Sequence, residues 1–158
     1  MAKTTFSGPV LSNNGFTPAG SSSVVQLAAG NTTLTYDDHV GRVIEVNDAD
    51  IEITLPTISD TTIGATYKFF IGTDSTGAKI KTDGTDKFSG NLFIAGGSGE
   101  ARGFASDVSS NDVISMNGTT TGGDKGSTIE IVAIADNEYL VTGMLIGSGS
   151  AATPFADS

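Results

Sequence analysis

The sequence predicts an all-β protein, an antiparallel β-sandwich or β-barrel of jelly-roll kind with extended N- and C-terminal arms. Three observations carry this reading. Gly, Ser and Thr make up more than a third of the 158 residues, while charged residues are only 16%. That composition favours turns and pleated strands over helices. Strand-length apolar runs follow one another at short spacing, separated by Gly, Asp, Asn, Ser and Thr. No stretch shows a convincing helical apolar period.

The elements follow in order. Residues 1–22 form an arm rich in coil formers, with Phe6, Val10, Leu11 and Phe16 as its sizeable apolar side chains. Their spacing fits neither period 2 nor period 3.6. The body, residues 23–146, carries nine strand-length runs. These are Val24–Ala28, Arg42–Val46, Ile51–Leu55, Thr66–Ile71, Lys79–Thr82, Leu92–Ala95, Val113–Met116, Ser127–Ile134 and Glu138–Ile146. Ile51-Glu52-Ile53-Thr54-Leu55 and Ile129-Glu130-Ile131 alternate, which predicts one wet face. Asp136-Asn137 between two long runs predicts an antiparallel hairpin, and Asp83-Gly84 another turn. Residues 147–158 return to Gly, Ser and Ala and read as a flexible tail with Phe155 as its aromatic anchor. No repeat of 20–50 residues is visible, so a solenoid or propeller is not expected.

Composition narrows the function. A net charge of −10 disfavours sequence-independent binding to nucleic acid or to an anionic membrane. No apolar run approaches the length of a membrane helix, and the start of the chain lacks the apolar core of a signal peptide. With no cysteine, a disulfide framework and a thiol nucleophile are excluded. His39 is the single histidine. Asp37 or Asp38 could orient it, yet no serine sits in a Gly-x-Ser-x-Gly elbow. Calcium is the best metal candidate, through Asp48 and Asp50, Asp83 and Asp86, or Asp112, although none falls in an EF-hand pattern. Tight-turn capping accounts for Asp83–Asp86 without a metal. Gly96-Gly97-Ser98-Gly99 lacks the Gly-Lys-Ser/Thr ending of a phosphate-binding loop. The residues ask for no enzyme and no cofactor. Tyr67 and Tyr139 fall inside strands and read as half-buried, which weakens a sugar-stacking role.

A family resemblance adds to this. Met1-Ala-Lys-Thr-Thr-Phe-Ser-Gly-Pro-Val10 with Ser12-Asn-Asn-Gly-Phe16 resembles the opening of small structural proteins of tailed phages, marine ones especially. Gly41-Arg-Val-Ile-Glu-Val46, Ile51-Glu-Ile-Thr-Leu-Pro56, Gly64-Ala-Thr-Tyr-Lys-Phe-Phe70 and Gly143-Met-Leu-Ile-Gly-Ser-Gly149 continue the likeness. The succession is similar to capsid decoration (cement) proteins. The resemblance implies a β-rich virion protein on the outer capsid surface that binds the major capsid protein and stabilises the expanded, DNA-filled head. It also implies homo-oligomers, with trimers at lattice three-fold positions as the first expectation. Phe6, Val10, Leu11, Phe16 and Phe155 are the expected partner-binding anchors. The alternative expectation is a tail- or fibre-associated adhesive domain that binds a host-surface glycan.

Overall fold

Alternate placement of Val, Ile, Phe and Tyr gives each strand one dry face, and two sheets must close over those faces. The structure is a computed structural model and describes residues 23–97 and 99–158. Its strands, in chain order, are β1 (Val24–Leu27), β2 (Thr32–Thr33), β3 (Val43–Val46), β4 (Glu52–Thr54), β5 (Thr66–Ile71) and β6 (Lys79–Lys81). They continue with β7 (Lys87–Ala95), β8 (Ala101–Ala105), β9 (Val113–Ser115), β10 (Thr128–Ala135), β11 (Glu138–Ile146) and β12 (Phe155–Ala156). Among the described residues the only α-helix is a single turn, α1 (Tyr36–His39). The all-β expectation therefore holds.

A seven-stranded sheet in the order β1-β3-β5-β10-β11-β7-β8 faces a five-stranded sheet in the order β12-β9-β6-β4-β2. The expected purely antiparallel pairing is corrected. β10 pairs antiparallel with β11 and β5, but β1–β3, β3–β5, β2–β4, β4–β6 and β7–β11 are parallel. Parallel neighbours need a crossover. Here a strand of the opposite sheet supplies it, because β1 to β6 alternate between the two sheets. The first half of the body thus winds as successive coils, although the sequence shows no repeat. The coils differ in length, since Val24 pairs with Val43 and Val43 with Lys68. A fixed period therefore never arises.

The core lies between the sheets. One layer comes from Ile44, Tyr67, Phe69, Ile129, Ile131 and Val141, all buried. The facing layer is a single row across the smaller sheet, Ile53–Ile80–Ile114–Phe155, joined in register through β4, β6, β9 and β12. Each fully buried side chain of this size contributes roughly 1.5–3 kcal/mol. Tyr139 donates its hydroxyl to the Pro56 carbonyl at 2.5 Å and meets Tyr67 edge-on with ring centroids 6.5 Å apart. Both tyrosines are buried more deeply than their strand pattern suggested.

The C-terminal segment is the second correction. Residues 147–158 were expected to be a flexible tail presenting Phe155 to a partner. Instead Phe155 is 6% exposed and closes the inner row of the smaller sheet. The segment is bound along its length. The amides of Ser148, Gly149 and Ala152 donate to the carbonyls of Gly118, Thr119 and Thr120. Arg102 reaches the Ala151 carbonyl, and the Ser158 amide and hydroxyl both donate to the Asp112 carboxylate. Small residues bring the backbone close enough for these bonds, so a composition that suggests coil here marks a tightly laid strap.

Candidate interaction surface

The strands of the larger sheet are apolar on both faces at several positions. Ile131-Val132-Ala133-Ile134 and Met144-Leu145-Ile146 run without polar interruption. Ile131, Ala133 and Leu145 point into the core, and their neighbours are left on the outer face. Register places Phe70, Thr128, Met144 and Phe93 side by side in one outer row across β5, β10, β11 and β7. The adjacent row runs Val24, Val43, Lys68, Glu130, Thr142 and Asn91. Met144 is 59% exposed, Phe93 49% and Val24 44%, with Ile134, Ile146, Val43 and Leu140 also exposed. The Phe93 side chain packs against Gly103 on β8. Such a face is more apolar than a sheet with one solvated side requires.

Between the bulky side chains lies a depression of about 470 Å³, lined by Val43, Lys68, Phe70, Thr128, Glu130 and Thr142. The two threonines are short beside Phe70, and Gly143 adds no side chain there. Lys68 and Glu130 form an ion pair of 3.4 Å at its rim, with both side chains about half exposed. A pair so exposed contributes little to stability and leaves the depression electrically balanced.

The titratable residues singled out from the sequence are engaged elsewhere. His39 ends α1, where its Nδ1 accepts the Thr35 amide at 3.0 Å. The Thr35 hydroxyl donates to Asp38 at 2.9 Å, which ties that carboxylate to the start of the same turn. Asp48 accepts the amides of Gly30 and Asp50. Asp83 accepts the amides of Thr85 and Asp86 and the Thr57 hydroxyl. Burial alone would raise its pKa, but these hydrogen bonds hold it below the usual carboxylate value. Asp112 behaves alike: burial pushes up, and the bonds from Lys87 and Ser158 outweigh it. Lys87 donates to Asp112 at 2.8 Å and to the Gly84 carbonyl at 2.9 Å. Its ammonium is therefore the cation that Asp112 already holds. Among the described residues no group of three or more His, Cys, Asp or Glu could hold a metal ion.

Asp86 is the exception in this set. It is fully buried, one carboxylate oxygen accepts the Ile58 amide, and the other has no partner. Burial, reinforced by the charge of Asp83, raises its pKa. A raised folded-state pKa means that its favourable contribution is complete below the unfolded carboxyl value and disappears as pH rises through the folded value. Asp86→Asn is therefore expected to melt above the wild type at pH 7, with the gap closing as pH falls toward 4. Thermal melts across that range check it, and a gap that widens in acid contradicts it.

The arm anchors Phe6, Val10, Leu11 and Phe16 lie outside the described residues. The fifth, Phe155, belongs to the core. The outer apolar face was not singled out from the sequence. Its signal was the failure of alternation in β10 and β11, which reads equally as a strand buried on both sides. Comparison of the chain with protein-family models, with curated proteins and with solved structures finds no match.

Proposed function

We propose that this is a non-enzymatic virion structural protein that binds the outer surface of a phage capsid and stabilises the DNA-filled head. The observation that carries the reading is the apolar outer face of the larger sheet on an acidic body. A lattice-binding protein needs broad contact, on the order of 1,600 Å² per interface, rather than a deep pocket. A seven-stranded face offers breadth of that kind, with Phe93 and Met144 as its most prominent apolar groups. The resemblance of the opening segment and of residues 41–70 to decoration proteins supports the same role. Acidic charge suits a surface turned away from packaged DNA.

A ligand that binds only the expanded lattice stabilises it by mass action. The partner is then the major capsid protein, and the Phe6 and Phe16 arm adds contact area beside the sheet face. The protein assembles with itself, as trimers at lattice three-fold positions. Virions stripped of it are expected to keep assembled heads but to release DNA at lower temperature, and adding the protein back restores heat resistance. Equal heat resistance with and without it removes the capsid role. A copy number of dozens rather than hundreds per virion favours the tail-associated alternative.

A further inference from the structure

The outer face of the larger sheet is self-complementary about the line between β5 and β10. Phe70 on β5 stands directly beside Thr128 on β10, and Lys68 beside Glu130. One strand further out on either side, Val43 on β3 and Thr142 on β11 continue the Lys68–Glu130 row. All six side chains line the depression. At each step from the line, a bulky or cationic group on one side is matched by a short or anionic one on the other. We propose that in the free protein a second copy of this chain covers the face, related by a two-fold axis parallel to the strands between β5 and β10.

Such an axis lays β5 over the partner's β10, and an isologous contact is made twice. Phe70 then projects over the partner's Thr128, into the depression, and Val43 over the partner's Thr142. Lys68 lies over the partner's Glu130 while keeping its own Glu130 at 3.4 Å. The four charges alternate in sign, so none is left unpaired when water is excluded. Charge also selects the occupant. A chain of net charge −10 repels its own copies over most of its surface. This row carries one charge of each sign, so two copies meet here without net repulsion. Area is sufficient. The six strands from β1 to β7 that the axis superimposes span about 29 Å, and roughly 20 Å along the strands. The pair of faces then buries on the order of 1,200 Å², above the roughly 1,000 Å² that a specific interface needs. Sheets packed face to face in near alignment are an ordinary arrangement for twisted strands.

The inference concerns the free protein and does not rest on capsid binding, so it and the heat-release experiment fail independently. Sedimentation equilibrium of the full-length protein at micromolar concentration is expected to give twice the mass of one chain, falling toward one on dilution. Lys68→Glu sets carboxylate against carboxylate across the axis, and Glu130→Lys sets ammonium against ammonium. Each variant alone is expected to weaken the dimer roughly tenfold or more. The ion pair within one chain is exposed, so both variants should keep the wild-type circular dichroism spectrum. Mixing the two variants restores the dimer, because each chain supplies the sign the other lacks. The chain carrying both substitutions restores it as well. Misfolding does not mimic this pattern, since two damaged chains do not repair one another. A wild type with the mass of one chain, or of three, overturns the proposal. A dimer that survives both single reversals overturns it too, as does a loss that mixing leaves unrepaired.

Discussion

Replacing Phe155 by Ala is expected to lower the melting temperature by about 10 °C. The side chain ends the row Ile53–Ile80–Ile114–Phe155, and its strand pairs with β9 through Ile114 and Val113. Truncating a buried Phe costs about 3–5 kcal/mol, from lost transfer energy and from the cavity left behind. At this chain length each kcal/mol moves the melting temperature by roughly 2–4 °C. The loss also loosens β12, which holds Ser158 against Asp112. A thermal melt followed by circular dichroism decides between the two readings of this residue. A side chain that only served a partner would leave the transition within about 0.5 kcal/mol of the wild type. An unchanged melt would show that the C-terminal strand is dispensable to the body.

Gly90→Ala is expected to be more damaging still. Gly90 sits inside β7 at φ +140°, opposite Val141 of the parallel neighbour β11. A methyl group there collides with the Val141 carbonyl oxygen, which belongs to the backbone of a central strand. The Gly90 amide donates to the Ser106 hydroxyl at 3.0 Å. Backbone strain at such a position costs on the order of 1–3 kcal/mol before any clash is counted. Displacing β11 adds the packing of Tyr139, Val141 and Leu145 to the loss. The variant should be recovered mainly as aggregate, or melt at least about 10 °C below the wild type. Gly84→Ala is the control, because Gly84 also has positive φ but faces open space. Equal effects at the two sites would mean that φ alone matters and that the contact with Val141 yields easily.

Much of the architecture was legible in the pattern of residues. β3, β4, β5, β10 and β11 fall where strand-length apolar runs occur, and Asp136-Asn137 does turn β10 back on β11, with Asn137 at φ +61°. The missed pieces share a cause. β7 begins at Lys87, but Ser89-Gly90-Asn91 resembles a turn and hides its first half. β8, Ala-Arg-Gly-Phe-Ala, has one large apolar side chain and is an edge strand with little to bury. Parallel pairing was invisible because its usual sign is a helix between strands, and here a strand of the opposite sheet takes that place. The outer apolar face was hidden for a different reason. A strand buried on both sides and a strand awaiting a partner have the same sequence pattern, and only the register tells them apart.

The placement of β10 and β11 bears on how the chain reaches this state. The pair sits between β5 and β7, so it joins two parts of the larger sheet made much earlier in synthesis. Until residue 146 has left the ribosome, β5 and β7 each expose an open edge. Contacts so distant in sequence must close long loops before they return any energy, which places refolding in the milliseconds-to-seconds regime of β proteins. A chain stopped before Thr128 presents both edges at once, and open edges recruit other chains. The late hairpin thus acts as a keystone, closing both open edges in one step.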